Sequence, residues 1–474
     1  MNGKNKKACV ATFGCQQNEA DSEKIKGMLA CMGYDIIDGD MTADVSNKFG
    51  EFANPGDLGG CDVIIMNTCA VREHAELKAF SRTGQLKHYK NKNKDLLIGI
   101  CGCMIEQEHV VEYIKNSFPY VDFIFGAREI HRLPEIINQA LTSKKRILDK
   151  TECDGEVIVE DVPVLRDSQF EAKVPIMYGC DNFCSYCVVP HVRGRERSRN
   201  KDKILEEVCG LVSSGCKDIT LLGQNVNSYK NPDPANPDYN FTDLLSDIIK
   251  IDGDYWVRFI TSHPKDVPDR LITLMNENKK LANHFHLPVQ AGSDRILKLM
   301  NRKYTREYYL DLVEKLRKNV EDIAITSDII VGFPSETDED FEDTLDIIEK
   351  AQFDNIFPFI YSKRKNTPAA EMEDIVPRKE KTDRFERLVK LQNEISVKKN
   401  KTYEGRTVKT LVESVYKKLY GGDKADKSDG GYLAGRTSTH KLVIFRGGID
   451  LIGSFVNVKI NEGRLHGLYG EICN

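Results

Sequence analysis

Val174-Pro175-Ile176-Met177-Tyr178-Gly179-Cys180-Asp181-Asn182-Phe183-Cys184-Ser185-Tyr186-Cys187 decides the architecture of this chain. A short apolar run, read as a strand over 174–178, delivers three cysteines in the spacing Cys-x3-Cys-x2-Cys just past its end. In a series of βα units that position falls at the carboxyl edge of the sheet, where barrel enzymes hold their chemistry. Three thiolates ligate three irons of a four-iron cubane and leave the fourth iron open. A closed structural zinc site wants four ligands, and the loop holds no His and no fourth Cys.

Downstream, strand-like runs recur at 219–222, 257–260, 284–288, 325–331 and 356–361, separated by amphipathic helical patterns. With 174–178 they make six βα units, which predict a partial (βα)6 barrel open on one side. Gly223, Gln224 and Asn225 close the second of these strands, and 328–334, with Asp328 and Gly332, closes the fifth. Both groups are therefore expected on the same edge as the three cysteines. A charged helix around 378–399 leads into short strands at 409–415, 442–445 and 455–460 with Gly turns, which reads as a small β-barrel.

Upstream, residues 9–13, 63–66, 96–100 and 121–125 alternate with helical patterns at 19–31, 72–89, 105–116 and 129–141. That alternation predicts an α/β domain with a parallel, doubly wound sheet. Cys15, Cys69 and Cys103 each follow a strand and precede a helix, so all three are expected at the carboxyl ends of one sheet, where open α/β sheets bind ligands. Helix N-termini pointing there also favour anionic thiolates. At about 3.3 Å per strand residue, Cys61 stands roughly 26 Å from Cys69 and Cys9 roughly 20 Å from Cys15, so neither shares a site with its neighbour. Cys101 lies only two positions from Cys103, which is preferred because it starts the turn. By position alone the trio reads equally well as small buried hydrophobes.

The 474 residues are too many for one ordinary core. Met1 to Lys7 runs into the first strand without the apolar stretch of a signal peptide, and no run approaches the roughly 20 apolar residues of a membrane span. A cytoplasmic protein is expected, and in a reducing compartment fourteen cysteines point to metal ligation or catalysis rather than disulfides. Net charge is −5, yet residues 401–474 hold 12 Lys and Arg against 8 Asp and Glu, so the terminal barrel is locally basic at +4 and the remainder stands at −9. Small barrels of this kind bind single-stranded or looped RNA. Arg193, Arg195, Arg197 and Arg199 sit at alternate positions, which in an extended segment would place them on one side, suited to phosphate. Expected domains are 5–145, a linker over 146–165 with an acidic stretch at 152–161, 166–398 and 399–474. The polar insertion at 39–60 suggests no function.

The Cys180/Cys184/Cys187 spacing resembles that of the radical S-adenosylmethionine (SAM) superfamily. The resemblance implies that the open iron chelates SAM and that Tyr186 lies near its adenine. Gly223, Gln224, Asn225, Asp328 and Gly332 are further candidates for SAM contacts. Both cysteine trios together resemble the methylthiotransferase family over nearly the whole chain, with a terminal barrel similar to the TRAM domain, including Gly435-Arg436-Thr437. The stretches 67–73, 193–199, 223–229 and 286–290 resemble the branch that acts on dimethylallyl-modified adenosine in tRNA. Gln17, where that branch commonly has Met, is a departure. The resemblance implies two [4Fe-4S] clusters, held by Cys15, Cys69 and Cys103 and by Cys180, Cys184 and Cys187. It further implies two SAM molecules, one donating methyl to sulfur and one cleaved to a radical that takes hydrogen from C2 of the adenine. Expected partners are the tRNA anticodon arm, with Arg193, Arg195, Arg197, Arg199 and Arg436 as candidate contacts, an electron donor such as flavodoxin or ferredoxin, and a sulfur source. Competing readings are the same chemistry on a threonylcarbamoyladenosine or a ribosomal-protein aspartate, or a noncatalytic iron–sulfur RNA-binding protein.

Overall fold

The structure, a computed structural model, describes residues 6–37, 58–71, 73–143, 145–148, 158, 160–416 and 431–473. The 39–60 insertion, apart from its last three residues, and most of the acidic 152–161 stretch lie outside the described residues. Two compact units emerge: residues 1–167, 177–181 and 187–199 in the first, and 168–176, 182–186 and 200–474 in the second. The expected boundary at 166 therefore differs from this division, which assigns two short stretches of the three-cysteine region to the first unit.

In the first unit, β1 (Lys6–Phe13), β2 (Tyr34–Ile36), β3 (Val63–Thr68), β4 (Leu97–Gly102) and β5 (Phe123–Gly126) form a wholly parallel sheet in the order β2-β1-β3-β4-β5. Every residue of β3 and β4 is buried, as in parallel strands covered on both faces. Alternation sorts Ile64, Met66, Ile98 and Ile100 to one face and Val63, Ile65, Leu97 and Cys101 to the other. Sequence reading missed β2, since three residues carry no periodicity. Its presence matters, because the chain leaves β1 on one side and returns to β3 on the other. The order thus reverses between β1 and β3, the place where such sheets bind ligands. Helices α1 (Gln16–Cys31), α2 (Glu73–Lys92) and α3 (Glu108–Ser117) lie between strands, and α4 (Leu133–Ser143) follows β5.

The strand expected over 174–178 is shorter than its pattern suggested. Its parallel ladder, β6 (Glu171–Pro175), ends where Pro175 pairs with Leu222. Residues β7 (Met177–Tyr178) instead form an antiparallel pair with β8 (Arg197–Ser198) in the first unit.

The second unit holds β6, β9 (Asp218–Leu222) and β10 (Trp256–Ile260) in one parallel sheet, and β11 (His284–His286), β12 (Ala324–Val331) and β13 (Asn355–Ile360) in another. A parallel bridge between Val257 and Leu281 lies between them. The intervening helices start at capping residues: Asn240 accepts from the Thr242 N–H, and Thr337 and Asp340 cap reciprocally. The helix Arg378–Lys401 then leads into a closed barrel. Its strands are β14 (Thr407–Val415), β15 (Tyr432–Thr437), β16 (Leu442–Arg446), β17 (Phe455–Arg464) and β18 (Gly467–Ile472), around Val412, Leu433, Val443, Phe445, Val458 and Leu468. Strands β15 and β18 were not anticipated, because Gly435 and Gly470 interrupt their patterns. Buried Arg258 of β10 joins the barrel to the rest of this unit, donating to Asp218 (2.7 Å) and to the Thr437 and Ser438 carbonyls (both 2.9 Å). Among the described residues no helix is long and apolar enough to cross a membrane.

Candidate metal centres

Cys15 is the residue immediately before α1, at the carboxyl end of β1, and Cys69 follows β3 directly. The two flank the point where strand order reverses. Cys103 follows β4 after Gly102, whose φ of +98° and whose packing against the Thr68 carbonyl, 2.3 Å from where a Cβ would lie, admit no side chain. The Cys69 thiol donates to Cys15, which holds the Cys15 thiol down at about 6 despite burial, with the charge of Arg193 assisting. Cys69 is correspondingly raised, by that same bond first and by burial second. Burial pushes Cys103 up to about 11 against the pull of Arg193; Cys15 acts electrostatically on Cys103, and Cys103 on Cys69. Cys15, Cys69 and Cys103 form no disulfide.

A buried polar network braces this corner. Asn18 Nδ2 donates to Asn67 Oδ1 (3.0 Å) and to the Thr68 carbonyl (3.1 Å). Asn67 Nδ2 donates back to the Asn18 carbonyl (2.8 Å) and to Ser22 Oγ (2.9 Å), itself 2.7 Å from Thr12 Oγ1. Cys101 lies in the apolar core of one sheet face, and Cys9 and Cys61 in that of the other. Among the described residues no three His, Cys, Asp or Glu side chains close around a single metal ion. Three thiols with a mutually perturbed acidity and a braced backbone fit the wider span of a polynuclear cluster.

Of the other trio, Cys180 and Cys187 belong to the first unit and Cys184 to the second. Cys180 N–H donates to the Gly194 carbonyl (3.3 Å). Cys184 is buried and accepts from Arg302 Nη1 (3.3 Å), whose other nitrogens reach Tyr304 Oη (2.9 Å) and the Pro288 carbonyl (3.0 Å). Burial works against the Arg302 charge, but Tyr304, Tyr186 and Cys184 outweigh it, so its pKa stands above the ordinary value. Tyr186 is half-buried in the second unit.

The other predicted residues divide. Asn225 is fully engaged by protein, donating to Asp266 (2.8 Å) and accepting from the His263 N–H (3.1 Å). Gly332 takes φ +67° with its N–H on Glu336, and Lys381 fills the space beside it. Asp328 lies within β12, three residues before its end, with its carboxylate 3.6 Å from His286 Nε2. Gly223 shares backbone hydrogen bonds with Ile260 and Thr261. Gln224 Oε1, by contrast, is buried without a partner, as are both amide atoms of Asn227 and the hydroxyl of Ser262. Asn227 and Ser262 were not singled out from sequence. Asn227 lay inside the 223–229 stretch, but nothing in a sequence tells an orphaned amide from a satisfied one.

The alternating arginines do not form a common outward face, and that expectation is corrected. Arg193 is buried against Cys103 (3.0 Å) and Asp21 (2.9 Å), and Arg199 is buried against Glu160 (2.7 Å). Arg195 is exposed beside Asp181, while Arg197 donates to the Arg193 carbonyl. The segment leaves a short helix at Arg193 and turns at Gly194 (φ +78°) before β8, rather than running straight, so the residues turn different ways. In the barrel, half-buried Arg436 faces Glu413 (3.3 Å), whose carboxyl burial raises to about 7. Exposed cations there stand over aromatic rings: Arg464 over Tyr469 (4.3 Å) and Arg446 over Tyr432 (5.3 Å).

Residues 174–348 match the Radical SAM superfamily, 424–473 the TRAM domain, and 51–126 a family described as Uncharacterized protein family UPF0004. The tRNA-2-methylthio-N(6)-dimethylallyladenosine synthase of Acetivibrio thermocellus is 49% identical over 99% of this chain and 92% of its own. That of Carboxydothermus hydrogenoformans is 48% identical over 98% of both. The chain belongs to the tRNA-2-methylthio-N(6)-dimethylallyladenosine synthase family. It is a radical SAM tRNA methylthiotransferase, and its cofactors are [4Fe-4S] clusters and SAM. Among solved structures, the radical SAM methyltransferase TsrM of Kitasatospora setae superposes with TM-score 0.53 at 14% identity, covering 77% of each chain. The cobalamin-dependent SAM radical enzyme OxsB gives 0.52 at 12% identity over 83% of this chain and 56% of that one, and both establish the fold alone.

Proposed function

We propose that this enzyme places a methylthio group on C2 of N6-dimethylallyladenosine at position 37 of tRNA, using two SAM molecules and two [4Fe-4S] clusters. The observation that carries this reading is the Cys15–Cys69 pair flanking the β1/β3 reversal, with Cys103 at the same end of the neighbouring β4, in addition to the Cys180, Cys184 and Cys187 loop. Each trio would hold three irons of one cluster. When bound, these groups and SAM supply radical hydrogen abstraction and sulfur, which an aromatic C–H requires and side-chain acid–base chemistry cannot replace.

The chain's own contribution is to bind and orient. Asn18 and Asn67 fix the backbone that carries Cys15 and Cys69. Tyr186, Gly223, Gln224, Asp328 and Gly332 stand as SAM contacts at or near the carboxyl ends of the barrel strands, with Asn225 bracing the loop between Asp266 and His263. The unpartnered Gln224, Asn227 and Ser262 atoms are the polar groups that a ligand would satisfy there. The barrel at 399–474, following the core at 166–398, would take the anticodon arm through Arg446, Arg464 and their rings, with Arg195, Arg197 and Arg436 as further RNA contacts. A low-potential donor such as flavodoxin or ferredoxin and a separate sulfur source complete the requirements.

Side-by-side assay of dimethylallylated, threonylcarbamoylated and unmodified anticodon arms tests the substrate. Five carbons at about 0.8 kcal/mol each, incompletely buried, predict a preference on the order of 100-fold for the first over the last. Equal turnover of either alternative rejects the substrate and leaves the radical chemistry standing.

A further inference from the structure

Arg193 comes from the segment after the core cysteines, yet within the first unit it reaches the thiol of Cys103. It is only 5% exposed. Stripping water from a guanidinium costs several kcal/mol unless fixed partners replace it. Here Nε donates to Cys103 Sγ at 3.0 Å, and Nη2 donates to Asp21 Oδ2 at 2.9 Å. Asp21 is in turn buried on α1 and accepts from Gln17 Nε2 on its other oxygen (3.4 Å). Backbone bonds hold the base of the side chain, with Arg193 N–H on the Val189 carbonyl (2.8 Å) and the Arg193 carbonyl accepting from Arg197 (3.2 Å).

We propose that Arg193 is a positioning residue for the cluster of Cys15, Cys69 and Cys103: clamped by Asp21, it donates to the Cys103 sulfur, orients that ligand and raises the cluster's reduction potential. The proposal rests on the reading of this trio as cluster ligands. A cluster gains one negative charge on reduction, so a cation and an N–H···S bond favour the reduced form. Asp21 fixes the cation and opposes its field. Removal of the two charges should therefore shift the potential in opposite directions, a signature that mere loss of packing does not produce.

The test uses the full-length chain with Cys180, Cys184 and Cys187 changed to Ala, so that only the N-terminal cluster is read. Anaerobically reconstituted parent, Arg193→Gln, Arg193→Lys and Asp21→Asn are titrated with dithionite, with iron content and the electron paramagnetic resonance signal of the reduced cluster measured. Arg193→Gln should lower the reduced-to-oxidised ratio at a fixed potential about tenfold, equivalent to about 59 mV for one electron. Arg193→Lys should recover part of that shift, and Asp21→Asn should move the potential upward. An unmoved Arg193→Gln overturns the proposal. If that variant loses its iron, the sign of the Asp21→Asn shift decides, and a downward shift overturns it. A parent that binds no iron overturns the reading of the trio, and this proposal with it.

Discussion

Asn18 and Asn67 hold each other in both directions, the side-chain amide of each donating to an oxygen of the other at 3.0 and 2.8 Å. The pair ties the first turn of α1 to the end of β3, and so ties the backbone of Cys15 to that of Cys69. An apolar replacement of Asn67 removes one acceptor of the Asn18 amide and one donor to Ser22 in a buried setting, leaving them only the Thr68 carbonyl and the Thr12 hydroxyl. Asn67→Leu should destabilise the apo chain by about 1–3 kcal/mol and reduce iron retention, read from urea denaturation and iron content. Native values in both would reject this role.

That pair also marks the limit of what sequence could say. The alternation of runs and helices, and the cysteines after the strands, were legible because period and position in a parallel sheet are local properties. The β1/β3 reversal was not, since it depends on β2, three residues without a pattern. The arginine run misled for a related reason. Alternate spacing implies one face only if the segment is extended, and here Arg193 still ends the helix Val189–Val192 and Gly194 turns at φ +78° before β8 begins, so the arginines face different ways. Asn227 and Ser262 required knowledge of which polar atoms lack partners, and that exists only in three dimensions.

Arg302 serves Cys184, Tyr304 and the Pro288 carbonyl with three nitrogens of one planar fork. Lysine offers a point charge without that geometry. Arg302→Lys should leave at least one buried acceptor unpaired, cost about 1–3 kcal/mol, and loosen iron bound by the Cys180, Cys184 and Cys187 loop. A variant that melts and holds iron like the native chain would refute the prediction.

His284 stacks on His440 at 5.1 Å, and burial, with Arg258 nearby, depresses the His284 pKa to about 3. The unfolded imidazole titrates at about 6.5, so between these values the unfolded chain binds more protons. Stability from this group is full above about 6.5 and declines as pH falls towards 3. Urea midpoints should drop from pH 7.5 to pH 5, and the drop should be smaller in His284→Gln. Identical pH dependence in the two proteins would assign the loss elsewhere.

Arg446 and Arg464 are exposed above their rings on the barrel. Their replacement by Gln should weaken binding of an anticodon arm and reduce the slope of log K against log salt by about 1.4, since each phosphate contact contributes about 0.7 for single strands. An unchanged slope would place the RNA elsewhere. Substitution is the proper test, because deletion of the barrel would strip Arg258 of its Thr437 and Ser438 acceptors.

Those two carbonyls have a wider consequence. With one guanidinium seated on Asp218 of β9 and on the β15–β16 turn, the barrel is fastened to the strands rather than hung from the helix Arg378–Lys401. An RNA held on such a fixed shelf would not be swung to the reaction site by a moving arm. Whatever the barrel holds is thereby kept at one distance from the ends of β9 and β10.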